Sequence, residues 1–233
     1  MREVPRVALA ALFITALVSA QLLAVKVLAL PLPVALPVVG ATLVAPAGVV
    51  AYALTFFATD CYAELYGRRD ATVLVNVGFA MTLVLLGLLW LAIRLPGSDA
   101  GVDPAAFAGV LAPSTNIVAG SLLAYLVSQN LDVVTFDALR IRTEGQHLWL
   151  RNLASTGTSQ LIDTVLFIGV AFWAVPQLLG LGAALPTVVL LQLVIGQYLL
   201  KLGLAALDTP LVYLVVRYVH GLDPATRTQS RTF

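Results

Sequence analysis

The stretch SQNLDVVTFDALRIRTEGQHLWLRNLASTGTSQLIDTVLFIGVAFW, residues 128–173, decides the fold. It reads as two apolar segments joined by a loop carrying Arg140, Arg142, His147 and Arg151, and each segment contains a carboxylate, Asp132 or Asp163. An ionised side chain at the centre of a bilayer costs about 2.5–3.5 kcal/mol on insertion scales, so such a residue faces a protein interior or a wet cavity. Asp163 lies too deep in its segment to escape by snorkelling. Thr156, Gln160, Asp163 and Phe167 follow one another at spacings of three and four, which stacks them on one helical face as a polar stripe ending in an aromatic ring. Leu161, Val165, Ile168 and Val170 take the opposite positions and are expected to meet lipid.

Composition agrees with that picture. Only 11% of the 233 residues are charged, against about 25% in a soluble domain, so the chain reads as an all-α integral membrane protein. A net charge of +1 argues against a nucleic-acid partner, which needs a basic face. The single cysteine, Cys61, makes neither an internal disulfide nor a cysteine-rich metal site. His147 and His220 fall in a loop and at a helix end, so no metal centre and no cofactor is expected.

The apolar runs predict six spanning helices at about residues 5–30, 46–66, 71–95, 105–131, 153–179 and 186–219, followed by a polar tail over 221–233. In the first, Val18 to Ala20 loosely resembles a signal-peptidase site, but the apolar run continues to Leu30, which predicts an uncleaved helix. Thr15, Ser19, Leu22 and Lys26 share one of its faces. Prolines 31, 33, 37 and 46 break helix over residues 31–46, so this segment is expected to be an extended, partly re-entrant connection capping a cavity. The second helix ends in TDCYAELYGRR, where Asp60 and Glu64, four apart, form an acidic face suited to gating or release. Ser121, Tyr125, Ser128 and Asp132 align on the fourth helix, and Gln197, Lys201, Leu204 and Asp208 on the last. Lys201 is deep enough to need a partner, and Asp163 and Asp132 are the candidates. Pro210 is expected to kink or end the main span.

Arg2, Arg6, Arg68, Arg69, Arg140, Arg142, Arg151 and the arginines beyond residue 216 fall on one side of the six-helix topology, and Arg94 on the other. Positive residues mark the cytoplasmic side, which places both termini there. No internal repeat of the kind common in secondary transporters is visible.

Serine, threonine and amide side chains serve mostly as interhelical glue. Asp132, Asp163 and Lys201 together point further, to a substrate or ion pathway. Carboxylates and glutamines can accept N–H groups along the edge of a small polar heterocycle, while Phe167, Trp173, Tyr125 and Tyr198 can stack on its faces. Neither G-x-S-x-G nor H-E-x-x-H occurs, which leaves an intramembrane aspartyl hydrolase as the enzyme alternative. No phosphate-binding loop of the G-x-x-x-x-G-K-[ST] type occurs either, so any ATP hydrolysis would lie on another chain. Ala16, Ala20 and Ala24 give the first helix a small-residue face, fit for internal packing or for an energising partner, and docked energising subunits or a homo-oligomer are the partners expected besides lipid and substrate.

Four segments, ATDCYAELYGRR at 58–69, SQNLDVVTFDALR at 128–140, WLRNLASTGTSQLIDTVLFIGVAFW at 149–173 and GQYLLKLGLAALDTPLVYLVVRY at 196–218, resemble the queuosine precursor transporter family, also called the vitamin uptake transporter family. The combination T-D-x-x-x-E-x-Y-G, D-V-x-x-F, S-T, D-T-x-x-F and a lysine before D-T-P carries the resemblance. It implies a six-helix inner-membrane bundle resembling the substrate-binding subunits of energy-coupling-factor transporters. It also implies import of 7-deazaguanines such as preQ0 or preQ1 for tRNA modification, by the chain alone or as a subunit of an ATP-driven importer. Asp60 and Glu64 match the acidic motif, and Asp132, Asp163 and Lys201 match the later ones. Where some members carry asparagine in the S-T-x-x-x-N-x-x-D-T segment, this chain has Gln160. The expected substrate-binding set is Asp163, Gln160, Thr156, Phe167, Asp132, Tyr125, Lys201 and Tyr198. Asp163 with Gln160 is expected to read the ring edge, and Lys201 to balance charge.

Overall fold

The computed structural model describes residues 3–36, 39–98, 100–142 and 148–221. In chain order it contains α1 Glu3–Leu23, β1 Val27–Leu36, β2 Gly40–Pro46, α2 Gly48–Tyr66, α3 Arg68–Arg94, α4 Pro104–Leu111, α5 Ser114–Arg142, α6 Leu148–Gly169, a π-helical turn Val170–Ala174, α7 Val175–Leu179 and α8 Thr187–Gly221. Among the described residues, five stretches are long and apolar enough to cross a membrane: Glu3–Leu23, Arg68–Arg94, Pro104–Ser128, Gly157–Leu179 and Thr187–Leu204. The sixth expected span, α2, is not among them. Thr55, Thr59, Asp60 and Glu64 lower its hydropathy, and it joins the bundle through a buried face of Val49, Ala51, Ala58, Cys61 and Tyr62. Val73, Leu83, Leu88 and Leu91 stand exposed along α3, a surface that suits lipid and would drive association in water.

The first helix stops at Leu23, not near residue 30. Pro31 and Pro33 have fixed φ and no N–H, so two of them in close succession disfavour helix, and the residues just before them pair with the strand that returns to Pro46. The chain turns instead into an antiparallel hairpin in which Val27 faces Pro46, Leu28 faces Ala45 and Leu30 faces Leu43, with an irregularity between Pro31 and Leu36. Gly40 closes it at φ 72°, a left-handed conformation that glycine adopts without cost. The Ala47 N–H donates to the Lys26 carbonyl at 2.7 Å and ties the base. The expected extended connection is therefore a β-hairpin. Its backbone needs protein cover in a bilayer, and α8 supplies some of it: a side chain at Gly196 would collide with the Val44 carbonyl.

The expected fourth helix is two elements. Asp103 caps α4 by accepting from the Ala106 N–H at 2.8 Å, Pro104 takes the first turn, and the chain breaks at Ala112 and Pro113 before α5 runs on to Arg142. After α6 the helix widens through the π-helical turn, and the Phe172 carbonyl accepts from the Leu185 N–H at 2.9 Å. α8 passes through Pro210 without ending. The tail over 222–233 lies outside the described residues.

Leu9, Phe13, Ala16, Leu17, Ala20 and Gln21 form the buried stripe of α1 at spacings of three and four. Of the face expected through Thr15, Ser19, Leu22 and Lys26, Thr15 is exposed, Ser19 and Leu22 are half-buried, and Lys26, also exposed, lies beyond the helix end. The alanine face is filled from within the chain, because Gly48 of α2 lies so close to the Ala20 carbonyl and Ala24 that a Cβ there would clash with both. One buried cluster joins Leu9, Phe13 and Leu17 to Ala58, Cys61, Tyr62 and Leu74. A second joins Ala24, Ile117 and Ala124 to Phe167, Ile168, Phe172 and Leu193. Of the residues expected at lipid, Leu161 and Val165 are exposed, whereas Ile168 is fully buried in that second cluster.

Candidate functional site

Asp163 on α6 and Lys201 on α8 meet inside the bundle. Lys201 Nζ lies 2.7 Å from Asp163 Oδ2, with the two side chains 6% and 16% exposed. Burying two ions is costly, and their attraction offsets that cost only when good geometry and further hydrogen bonds accompany it. Both are present. Lys201 also donates to Thr164 Oγ1 at 3.3 Å, and Thr164, wholly buried, donates to the Gln160 carbonyl at 2.8 Å. Ser128 of α5 shares its hydroxyl proton between Asp163 Oδ1 at 3.4 Å and the Tyr125 carbonyl at 3.3 Å. The Tyr52 ring of α2 lies 5.7 Å from the ammonium, within reach of a cation–π attraction.

These groups border a chamber. Its walls are Gln21 and the small residues Ala20 and Ala24 of α1, Tyr52 and Val49 of α2, Ser121 and Ile117 of α5, Asp163 and Phe167 of α6, and Gln197 and Lys201 of α8, with Pro46 at the foot of the hairpin. The empty space, mouth included, is about 430 Å³, but the centre of a water molecule can move through only about 30 Å³ of it. The room for a guest is that inner part alone, the rest being crevice or open mouth. It corresponds to a few waters, so a two-ring compound enters only if the walls part.

Of the expected residues, Asp163, Phe167 and Lys201 line this chamber. Gln160 does not, and its amide oxygen is buried with no donor among the described residues. Tyr125 stacks on Phe79 with ring centroids 4.2 Å apart, and Tyr198 donates to the Gly157 carbonyl at 3.3 Å; neither borders the chamber. Trp173 is 49% exposed and faces outward. The side chains of Asp132 and Thr156 lie outside the described residues. Asp60 and Glu64 are exposed near the C-terminal end of α2, away from the chamber lining.

Among the polar and aromatic lining residues, Gln21, Tyr52, Ser121 and Gln197 stand outside the substrate-binding set expected from the sequence. Gln21 is 1% exposed and its Oε1 accepts from Ser121 Oγ at 3.2 Å. An amide placed in the apolar stripe of α1 was the available signal. Gln197 stands one turn before Lys201 on the same face, which the spacing does reveal.

A buried ion pair beside a chamber, inside a bundle with an apolar exterior, defines a multi-pass membrane protein with a polar interior site. A family model described as "Putative vitamin uptake transporter" matches residues 46–215, and the chain belongs to that family. Similar proteins include a "Probable queuosine precursor transporter" of Bacillus subtilis (strain 168), 34% identical over 178 residues that cover 76% of this chain and 74% of the relative. A "Queuosine precursor transporter" of Escherichia coli (strain K12) is 28% identical over 134 residues, 56% of each chain. No solved structure matches. The family and both relatives are named as transporters, so this chain is a transporter and not an intramembrane hydrolase.

Proposed function

We propose that the chain imports a queuosine precursor, a 7-deazaguanine such as preQ0 or preQ1, and binds it beside Asp163 and Lys201. The family and the names of the two relatives support the cargo. The carrying observation is the Lys201–Asp163 pair at 2.7 Å on a chamber wall, since buried charge in a membrane bundle marks a pathway for a polar guest. Phe167 and Tyr52 supply ring faces for stacking. Asp132 and Thr156 belong to this proposal by their motif positions alone, their side chains lying outside the described residues. Gln160, Tyr125 and Tyr198 support the chamber from one layer behind, and Asp60 and Glu64 gate release at the cytoplasmic end.

Binding proceeds with separation of the walls, of the gating kind common where transport or catalysis needs closure around a guest. The bundle crosses the cytoplasmic membrane six times, α2 included, with both termini inside. Arg6 supports this: it lies 2.9 Å from Asp70 and donates to the Tyr62 hydroxyl at 3.0 Å, so the start of α1 adjoins the turn between α2 and α3. The alternative, a substrate-binding subunit docked on ATP-hydrolysing partners, drew on the alanine face of α1. Gly48 of α2 fills that face, which removes that support for the subunit reading and leaves uptake by the isolated protein to decide between the two.

Labelled preQ0 should accumulate in vesicles containing only this protein, and Asp163→Asn should abolish accumulation. Uptake that appears only after ATPase subunits are added supports the subunit alternative. The cargo reading falls if none of preQ0, preQ1, queuine and guanine raises the melting temperature of the purified protein.

A further inference from the structure

Four buried side-chain oxygens lack a hydrogen-bond partner among the described residues, on Ser114, Asn116, Gln160 and Gln197. Gln197 alone of these lines the chamber. The residue is only 6% exposed, and a carbonyl buried this far is costly to leave without a donor. The other amide on the chamber wall, Gln21, has its oxygen engaged by Ser121 at 3.2 Å. Asp163 is engaged by Lys201 and Ser128. Gln197 therefore offers an acceptor for which the described protein provides no donor.

One turn further along α8, Lys201 offers the complement. An ammonium carries three N–H groups, and Asp163 and Thr164 take two of them. A donor and an acceptor four residues apart on a helix stand about 5–6 Å apart at their Cβ atoms. The edge of an amino-lactam presents, in order, a carbonyl, a ring N–H and an amino group, so such a guest can meet both residues along one side. The charges of Lys201 and Asp163 cancel, and this edge needs no net charge on the guest.

We propose that Gln197 determines specificity, accepting a hydrogen bond from the amino group of an amino-lactam ring whose carbonyl faces Lys201. This rests on the deazaguanine reading above and names the residue that distinguishes a guanine-type ring from its counterpart without the amino group. A site built to hydrogen-bond a group rejects the analogue lacking it, because its own buried polar atom is left unpaired.

The test uses the purified full chain, with binding measured for preQ0 and for the same ring lacking the 2-amino group. The unmodified protein should favour preQ0 by about tenfold or more, equivalent to about 1.4 kcal/mol. Gln197→Leu should weaken preQ0 about tenfold, shift the desamino compound by less than about twofold, and leave the ligand-free melting temperature unchanged or higher. Equal weakening of both compounds, or an unchanged ratio, overturns the assignment while leaving the deazaguanine reading intact. If Gln197→Leu fails to fold, Gln197→Met, which also lacks the carbonyl, takes its place; a clear drop in its ligand-free melting temperature shows that the carbonyl has a structural partner and overturns the assignment. If the unmodified protein binds neither compound, the cargo reading falls and this assignment with it.

Discussion

Asp163 holds α6 to α8 through one salt bridge, so its removal should be felt in stability as well as in transport. Asparagine at 163 keeps the shape but leaves Lys201, 6% exposed at its side chain, without a counter-charge. Breaking a buried pair in this way costs about 3–5 kcal/mol, whereas replacing both partners by well-packed apolar groups is often neutral. Asp163→Asn should therefore melt well below the unmodified protein, by about 3 kcal/mol because Asp163 keeps some access to the chamber. Asp163→Asn combined with Lys201→Met should recover most of that stability without recovering preQ0 binding. A single variant as stable as the starting protein, measured by thermal melts in detergent, would show that the pair does not organise the site. At this scale the sequence was informative at Lys201, since a lysine deep in an apolar run demands a partner and Asp163 was one of two candidates. Gln21 and Tyr52 escaped notice because neutral polar groups carry no comparable penalty. An amide or a tyrosine in a helix is usually interhelical glue, and only the fold brings these two to the chamber.

The hairpin and α1 show what element-level patterns convey and what they miss. Four prolines over residues 31–46 were enough to rule out helix there. They also interrupt the alternation that would reveal two paired strands, so the hairpin itself was not legible. Its seat on α8 depends on the absence of a side chain at Gly196, because a Cβ there would meet the Val44 carbonyl. Gly48 plays the same part between α1 and α2, against the Ala20 carbonyl and Ala24. The obstructing atoms are backbone in both places, with the Ala24 Cβ added at Gly48, and none can rotate aside, so Gly196→Ala and Gly48→Ala should each destabilise by about 1–3 kcal/mol, as overpacking does. Gly87→Ala is the control, because nothing lies within 4 Å of a Cβ there; it should match or slightly exceed the starting stability, alanine being the better helix former. Melting temperatures that fall equally at all three positions would show that close approach is not what Gly48 and Gly196 provide. The small-residue face of α1 was correctly seen as a contact surface, but sequence spacing does not say whether the helix that meets it belongs to the same chain.

For the whole molecule, the deciding question is whether α2 crosses the membrane. Its hydropathy does not mark it as a span, yet the start of α1 touches the start of α3 through Arg6 and Asp70, and α2 ends at Tyr66, immediately before α3. A returning α2 brings the N-terminus and the Gly67 turn to the same side and leaves the hairpin on the other; an α2 that stops short puts Glu3 and Arg69 on opposite sides. The chain is suited to cysteine mapping because its single cysteine, Cys61, is fully buried and gives little background. Val34 is 70% exposed, and Glu3, Arg69 and Ser98 are exposed as well. In intact cells a membrane-impermeant maleimide should label Val34→Cys and Ser98→Cys, while Glu3→Cys and Arg69→Cys should react only after the membrane is opened. The distribution of arginines predicts the same sidedness independently, with Arg94 alone on the outer side of the six-span topology. Labelling of Glu3→Cys from outside with Arg69→Cys protected would reduce the bundle to five spans and remove α2 from the membrane. Tyr52 would then be an unsuitable wall for a chamber within the bilayer, and the proposed cargo site would have to be rebuilt without it.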